Sequence, residues 1–182
     1  MKKDLGSLPA LYPTPVIVVG AMVNGKPDWT LVAHTGIPSH DKVMVSLAKA
    51  HYINSGIKES KMLSVNIVDE SWLDKADYTG SVSGAKTDKS DVFEYTIGET
   101  GAPMINEALL TMECTVEDIY LCGPFENFIC SIKHTFAEET IVTEDGKKID
   151  YDKFKPVLFN FPQYTYLKTG DTIAKCLSIY KK

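Results

Sequence analysis

The chain has 182 residues, of which 44% are hydrophobic and 24% are charged, the composition of an ordinary globular protein. No linker rich in proline, glycine or serine divides it, so residues 1–182 are expected to form a single domain, and collagen-like, low-complexity and disordered classes are excluded. The 19 basic residues are all lysines; with 24 acidic residues they give a net charge of −5, and no long lysine block indicates a nucleic-acid partner.

The first third of the chain has the pattern of β-structure. Residues 15–23 are rich in β-branched side chains and end at Asn24-Gly25, the dipeptide most typical of a tight hairpin turn. A second strand is expected from about Trp29 to Thr35. A third short apolar stretch, residues 43–48, follows a turn signal at residues 36–38.

The middle of the chain alternates between helical and extended patterns. Residues 51–61 have helical spacing, and residues 64–68 are expected to form a strand. Asp69 can cap a helical segment over residues 70–78. Residues 79–90 contain almost no large apolar side chain, which predicts a loop that only a bound ligand would order.

Two long strands are predicted in the second half. Residues 110–120 and 128–136 alternate in hydrophobicity, and the turn at Gly123-Pro124 makes them antiparallel neighbours. Asp145-Gly146 marks another turn, and residues 157–159 a last short strand. At least six strands and two short helices predict a mainly β protein, an antiparallel barrel with appended helices.

The cysteines and histidines show no spacing typical of a metal site. There is no C-x-x-C pair and no H-E-x-x-H, so no metal site is expected and the cysteines are typical of a reduced, cytoplasmic protein. Cys114 and Cys130 share the parity of the apolar residues around them, which favours small core residues over nucleophiles. His134 has the same parity and is expected inside the protein.

No apolar run approaches the ~20 residues of a membrane span, and prolines interrupt the N-terminal segment where a secretory signal would be apolar. No membrane association is expected.

Two polar clusters are candidate binding segments. One combines residues 30–36 with Ser46, and the other covers residues 81–89. Serine hydroxyls, a glycine and two lysines in the second cluster suit an anion, although the same composition is typical of a solvated surface loop. Neither a P-loop nor a dinucleotide-binding glycine motif is present.

Several short segments carry a family likeness in their order along the chain. They are Tyr12-Pro13-Thr14-Pro15-Val16, Asn24-Gly25-Lys26-Pro27, Trp29-Thr30-Leu31-Val32-Ala33-His34-Thr35-Gly36, Val43-Met44-Val45-Ser46-Leu47, His51-Tyr52, Leu63-Ser64-Val65-Asn66-Ile67, Ser83-Gly84 with Asp88-Lys89, and Met112-Glu113-Cys114-Thr115-Val116. Together they resemble the flavin reductase-like family, which binds FMN in a split β-barrel, and its flavoredoxin-type branch in particular.

The resemblance implies a six-stranded antiparallel split β-barrel of Greek-key topology with a few short helices. It further implies a homodimer with FMN at the subunit interface, and an FMN-dependent oxidoreductase that passes hydride or electrons from NADH, NADPH or a redox protein. A non-catalytic FMN carrier or sensor remains open, as does a barrel with another ligand, such as one with pyridoxamine-phosphate-type oxidase chemistry, or with none. No catalytic residue is assigned.

The resemblance also implies a set of cofactor-binding residues. Those along the flavin ring are Thr30, Ala33, His34, Thr35 and Gly36; those beside the ribityl chain are Ser46 and Leu47; those near the ribityl chain or phosphate are Tyr52, Asn54, Ser83, Gly84 and Lys89. The chain departs from the family at Asp28, where asparagine is common, and at Ile53, where threonine is common, and it has no arginine. Lys89 is the strongest candidate, whereas Thr30, Thr35, Ser46 and Tyr52 are equally typical of ordinary strand or core positions.

Overall fold

The computed structural model describes residues 1–180 and is built mainly from β-strands. Within these residues, twelve strands and two α-helices follow in this order: β1 (Thr14–Pro15), β2 (Ile17–Val23), β3 (Lys26–Val32), β4 (Thr35–Ser39), β5 (Lys42–Ala48), α1 (Ile53–Ser60), β6 (Met62–Ile67), α2 (Leu73–Ser81), β7 (Tyr95–Ile97), β8 (Pro103–Ile105), β9 (Leu110–Cys122), β10 (Phe125–Ala137), β11 (Leu158–Asn160) and β12 (Thr165–Leu167). No helix in this part of the chain is long and apolar enough to cross a membrane.

The main sheet has the order β3-β2-β6-β9-β10-β5-β4, and every neighbouring pair is antiparallel. The chain leaves β5, passes through α1 to β6, and returns with β10 beside β5, which is a Greek-key connection. The edge strands β3 and β4 do not pair with each other, so the barrel is split, as predicted. The sheet has seven strands rather than six because β4, expected as part of a turn, pairs with β5.

Local chemistry explains the hairpins of the sheet. Asn24 and Gly25 have φ angles of 51° and 78°, and this positive-φ pair is what the two-residue turn between β2 and β3 requires. Gly123, with φ of 54°, turns β9 into β10. Both turns and both strand pairs were predicted from the sequence.

Two hydrophobic clusters cover opposite faces of β2. Val19, Ala21 and Val23 point into the barrel core, whereas Val18 packs against Trp29 in a second cluster outside the barrel. Because both faces are buried, the strand has a continuous apolar run instead of an alternating one.

Alternation along β10 does not continue to its end. Cys114 and Cys130 are fully buried, as their parity predicts. The prediction for His134 was wrong: its side chain is 42% exposed and its Nε2 lies 3.5 Å from a carboxylate oxygen of Glu99. The strand register shifts between Ile132 and His134, which interrupts the alternation of side chains between the two faces of the sheet. The face of His134 therefore cannot be predicted by counting residues from Cys130.

The polar segment after β6 is shorter than predicted. Helix α2 continues to Ser81, so the expected loop over residues 79–90 begins inside the helix. Residues 82–91 then cross toward the start of β3 without forming a helix or a strand. We call this segment the β3 loop.

Candidate functional site

Two cavities meet beside the first half of β3. The inner cavity has a volume of about 290 Å³ and the outer cavity about 390 Å³. The inner cavity is lined by Asp28, Thr30, Ala48, Ala50, His51, Tyr52, Ile53, Gly80, Ser81, Val82, Ser83, Gly84 and Lys89. The outer cavity is lined by Val23, Asn24, Lys26, Pro27, Asp28, Tyr52, Gly84, Ala85, Lys86, Thr87, Asp88 and Lys89. The shared lining residues, Asp28, Tyr52, Gly84 and Lys89, show that the two cavities are adjacent.

Lys89 holds the β3 loop against the neighbouring elements where the two cavities meet. Its side chain is only 3% exposed, and its ammonium donates hydrogen bonds to the carbonyl of Trp29 and, at 3.3 Å, to that of Thr79. The same nitrogen lies 3.4 Å from Oδ1 of Asp28. One lysine of the β3 loop therefore holds together an edge strand and the end of α2.

Burial disfavours the charged form of both Asp28 and Lys89. Burial raises the pKa of Asp28, and the nearby Lys89 ammonium partly offsets the rise. Burial lowers the pKa of Lys89, and Asp28 partly offsets that fall. Burial and the Lys89 charge also lower the pKa of His51, whose Nδ1 lies 3.2 Å from the Thr30 hydroxyl. At neutral pH His51 is therefore uncharged.

The outer cavity carries more positive than negative charge. Three lysines, Lys26, Lys86 and Lys89, are among its lining residues, against two aspartates, Asp28 and Asp88. Lys26 and Asp88 form an exposed ion pair at 2.6 Å, and hydrogen bonds from Lys26 and Ser90 hold the pKa of Asp88 well below its usual range. The balance of charges in this cavity suits an anion.

Gly84 is where the β3 loop comes closest to the cavity walls. A Cβ atom at this position would lie 2.5 Å from Oδ1 of Asp28 and 2.7 Å from Cδ1 of Tyr52. At such distances the side chains of Asp28 and Tyr52 must shift to admit a Cβ atom, so a larger residue here changes the shape of both cavities.

A third cavity, of about 220 Å³, lies near the other end of β3, and its lining is mainly apolar. We call it the aromatic cavity; its lining residues are Val16, Leu31, Ala33, His34, Phe159, Phe161 and Tyr164. The His34 ring centroid is 6.0 Å from that of Tyr12, 5.6 Å from that of Phe125 and 6.1 Å from that of Phe161. These rings suit a flat, aromatic ligand.

The edge of β3 connects the polar and aromatic cavities. Within the described residues β3 pairs with β2 alone, so its other side is an open backbone edge. On that side the Trp29 carbonyl accepts from Lys89, and the Ala33 carbonyl accepts from the Thr14 hydroxyl at 2.9 Å. Beyond the strand, the His34 carbonyl accepts from the Ser46 N–H, also at 2.9 Å.

The structure brings most of the predicted site residues to these cavities. Thr30, Tyr52, Ser83, Gly84 and Lys89 line the inner cavity. Ala33 and His34 line the aromatic cavity.

The other predicted residues lie beside the cavities or point away from them. Thr35 and Gly36 lie in β4 opposite β5, where Ser46 donates to Oδ1 of Asn127 at 2.5 Å. The Leu47 side chain is 1% exposed in the barrel core. Asn54 is equally buried and donates to the Ala48 carbonyl and to Glu126. The side chains of Leu47 and Asn54 therefore serve packing and hydrogen bonding within the protein.

Sequence reasoning missed several lining residues. Asp28 was noted only as a departure from the family pattern, and His51 only as part of the family likeness. The aromatic side chains of Phe159, Phe161 and Tyr164 were missed altogether. Their signal is present in the sequence, since residues 159–166 contain four aromatic residues around one proline.

The alternative of cysteine chemistry has little support in the structure. Burial raises the pKa of Cys130 to about 12 and also raises that of Cys114, so both thiols stay protonated and unreactive at neutral pH. No group of three or more potential metal ligands occurs within residues 1–180.

The chain is similar to known proteins over nearly its whole length. A family model described as a flavin reductase like domain matches residues 9–168. A solved structure of flavoredoxin from Methanosarcina acetivorans is 32% identical, with a TM-score of 0.92, and the match covers 98% of this chain and 97% of that one. Flavoredoxin of Desulfovibrio vulgaris (Miyazaki F) is 30% identical, with a TM-score of 0.89 and coverage of 98% and 99%.

A more distant structure shares the fold. The FMN-binding protein from Thermus thermophilus with bound 1-cyclohex-2-enone is 20% identical, with a TM-score of 0.80 and coverage of 96% of this chain and 99% of that one. No curated protein sequence matches the chain.

Replacement of Lys89 by methionine tests the wall between the cavities. K89M leaves the buried Asp28 carboxylate without its ammonium, so we expect a loss of about 3 kcal/mol in the free energy of unfolding, measured by urea denaturation. The matched control is K26M, which breaks the exposed pair with Asp88 and is expected to leave the urea midpoint nearly unchanged. Equal losses of unfolding free energy in K89M and K26M would contradict the conclusion that Lys89 anchors the β3 loop.

Proposed function

The chain belongs to the flavin reductase-like family, and on that basis we propose that it is an oxidoreductase that works through bound FMN. The observation that carries the proposal is the open edge of β3, which runs from an anion-compatible cavity to an aromatic one. FMN has the matching parts in the matching order, with a phosphate at one end, a polar ribityl chain, and a flat ring whose pyrimidine side forms hydrogen bonds.

The phosphate of FMN suits the outer cavity. Lys26 and Lys86 supply positive charge there, Gly84 lines both cavities, and Ser83 lines the inner one. Because the chain has no arginine, point charges and hydroxyl or backbone donors replace the bidentate fork of a guanidinium group. The ribityl chain would then pass Tyr52 and Thr30 in the inner cavity.

The flavin ring suits the second half of β3. Backbone groups of the open edge can bind the pyrimidine side of the ring, and Ala33 and His34 border the cavity in which aromatic side chains can pack on it. When bound, FMN supplies an acceptor for a hydride or for single electrons. The protein residues position the ring and keep water from part of it, and we assign no acid or base among them.

A glycine replacement tests FMN binding at this site. The wild-type protein is expected to retain about one FMN per chain through gel filtration, seen as the flavin bands near ~370 and ~450 nm. G84A places a Cβ atom against Asp28 and Tyr52, so we expect FMN affinity to fall at least tenfold in a fluorescence titration.

The matched control is G170A, since a Cβ atom at Gly170 has no neighbour within 4 Å. Thermal unfolding of both variants would show whether G84A is folded. A wild-type protein that stays colourless after incubation with excess FMN would overturn the proposal.

Reduction by a nicotinamide cofactor distinguishes an enzyme from the non-catalytic carrier. The protein covers only part of the proposed ring site, so a nicotinamide can reach the bound flavin. We therefore expect NADH or NADPH to bleach the band near ~450 nm of the loaded protein without air, and air to restore it over repeated cycles. The band of free FMN with the same donor is the control. If neither donor bleaches the bound flavin and dithionite does, the carrier function is favoured.

We further propose that two chains form a homodimer that completes the flavin site. Large apolar side chains are exposed around the β9–β10 hairpin, including Tyr120 at 64% and Leu121 at 59%, which is typical of a surface that a partner covers. Sedimentation at micromolar concentration is expected to give about twice the 20.1 kDa of one chain. A monomer under these conditions would remove the shared site from the proposal.

A cytoplasmic location is part of the same proposal. Cys122 and Cys176 are exposed and free, and such thiols stay reduced in the cytoplasm.

A further inference from the structure

Asp28 lies at the junction of the inner and outer cavities. The residue is 4% exposed yet lines both cavities, and its Oδ1 lies 2.5 Å from where a Cβ atom would stand on Gly84, which also lines both. The nearest positive charge is the Lys89 ammonium at 3.4 Å, longer than the 2.7–2.9 Å typical of a close charge-assisted hydrogen bond. Lys89 makes a closer contact with the Trp29 carbonyl. The negative charge of Asp28 is therefore only partly compensated.

The other ionisable groups around Asp28 come from three segments. On β3 itself lies Lys26, and the β3 loop contributes Lys86, Lys89, Asp88 and, acting on Lys26, Asp91. The segment before α1 contributes His51 and Tyr52, and His51 is neutral at pH 7. Lys26 is already bound to Asp88, so it compensates Asp28 little.

An anion bound where the two cavities join would lie beside Asp28, which lines both of them. A phosphate group carries close to two negative charges at neutral pH, and like charges at short range in a buried site disfavour ionisation of both groups. A proton on Asp28 removes this repulsion and turns the carboxyl group into a hydrogen-bond donor. Burial already raises the pKa of Asp28, which makes protonation easier.

We propose that Asp28 takes up a proton from solvent when the phosphate end of FMN enters the cavities, so that FMN affinity rises as the pH falls. This inference rests on the proposed function. The pKa of Asp28 is higher in the complex than in the free protein. At any pH between these two values the complex holds more protons than the free protein, so FMN affinity falls by up to tenfold for each unit of rise in pH.

Isothermal titration calorimetry of wild type and D28N tests the proposal. FMN is titrated at several pH values from about 5 to about 8, at each pH in two buffers of different ionisation enthalpy, which yields the number of protons taken up per FMN. We expect wild type to take up more protons than D28N, by up to one per FMN. We also expect D28N to bind FMN more tightly than wild type, with a shallower dependence of Kd on pH across the same range. Because the Asp28 carboxylate also raises the pKa of a nearby phosphate, the extra uptake in wild type counts protons on the Asp28–phosphate pair. The phosphorus NMR shift of bound FMN, followed against pH in wild type, shows which group carries the proton, and a proton on the phosphate would overturn the assignment to Asp28.

His51 provides the matched control, because it lies in the same cavity and also titrates. H51Q is expected to show the same proton uptake as wild type. Uptake that is unchanged in D28N, or lost only in H51Q, would overturn the assignment to Asp28.

Two further results keep the test decisive. If D28N does not fold, wild type is titrated with riboflavin, which lacks the phosphate; equal proton uptake for riboflavin and FMN would then overturn the proposal. If wild type binds no FMN at any pH, the proposed function itself fails, and that outcome is distinct from FMN binding without proton uptake.

Discussion

The candidate site depends on one contact, the hydrogen bond from the buried Lys89 ammonium to the carbonyl of Trp29. Trp29 lies on the open edge of β3, where a backbone carbonyl has no strand partner within residues 1–180. Lys89 satisfies that carbonyl and at the same time anchors a loop with few apolar side chains of its own. A polar loop cannot be held by hydrophobic burial, so a buried charge with several acceptors takes that role. Both polar cavities exist because this loop is held against the strand.

Burying a lysine brings a second requirement, because an ammonium inside a protein needs a counter-charge. Asp28 supplies it, but the carboxylate then lies where a ligand would enter. The same pair therefore stabilises the loop and sets the charge of the cavities. An anionic ligand must find its positive charge at Lys86 and at the ion-paired Lys26, and it meets the partly compensated carboxylate of Asp28. Lys89 and Asp28 therefore affect both the stability of the β3 loop and the charge of the ligand that the cavities can bind.

How much the sequence could predict follows from the range of each interaction. The Asn24-Gly25 turn and the β9–β10 hairpin are local, and the parity of Cys114 and Cys130 reports one shared core face, so these features were predicted correctly. Parity did not extend past the register irregularity before His134, because an extra residue in a strand leaves no local sequence signal. The aromatic cavity combines β3 with residues more than 120 positions later, a contact that only the folded chain defines. Most of the residues that the family resemblance named line a cavity, but they are a minority of the lining, and the resemblance gave no role to Asp28.

An incomplete barrel explains why the site lies at β3. In a closed barrel every strand would use its backbone N–H and C=O groups on both sides, and no edge would be available to a ligand. Here β3 and β4 remain unpaired with each other, and the α2 end, the β3 loop and the β11–β12 segment cover the edge of β3 only in part. An exposed edge invites pairing with another chain, and the side chains of Lys89 and Thr14 limit that hazard by occupying two of its carbonyls. The stretch between these two carbonyls stays available, so the groups that protect the edge also define the length of backbone that a flat ligand with hydrogen-bonding groups along one side can use.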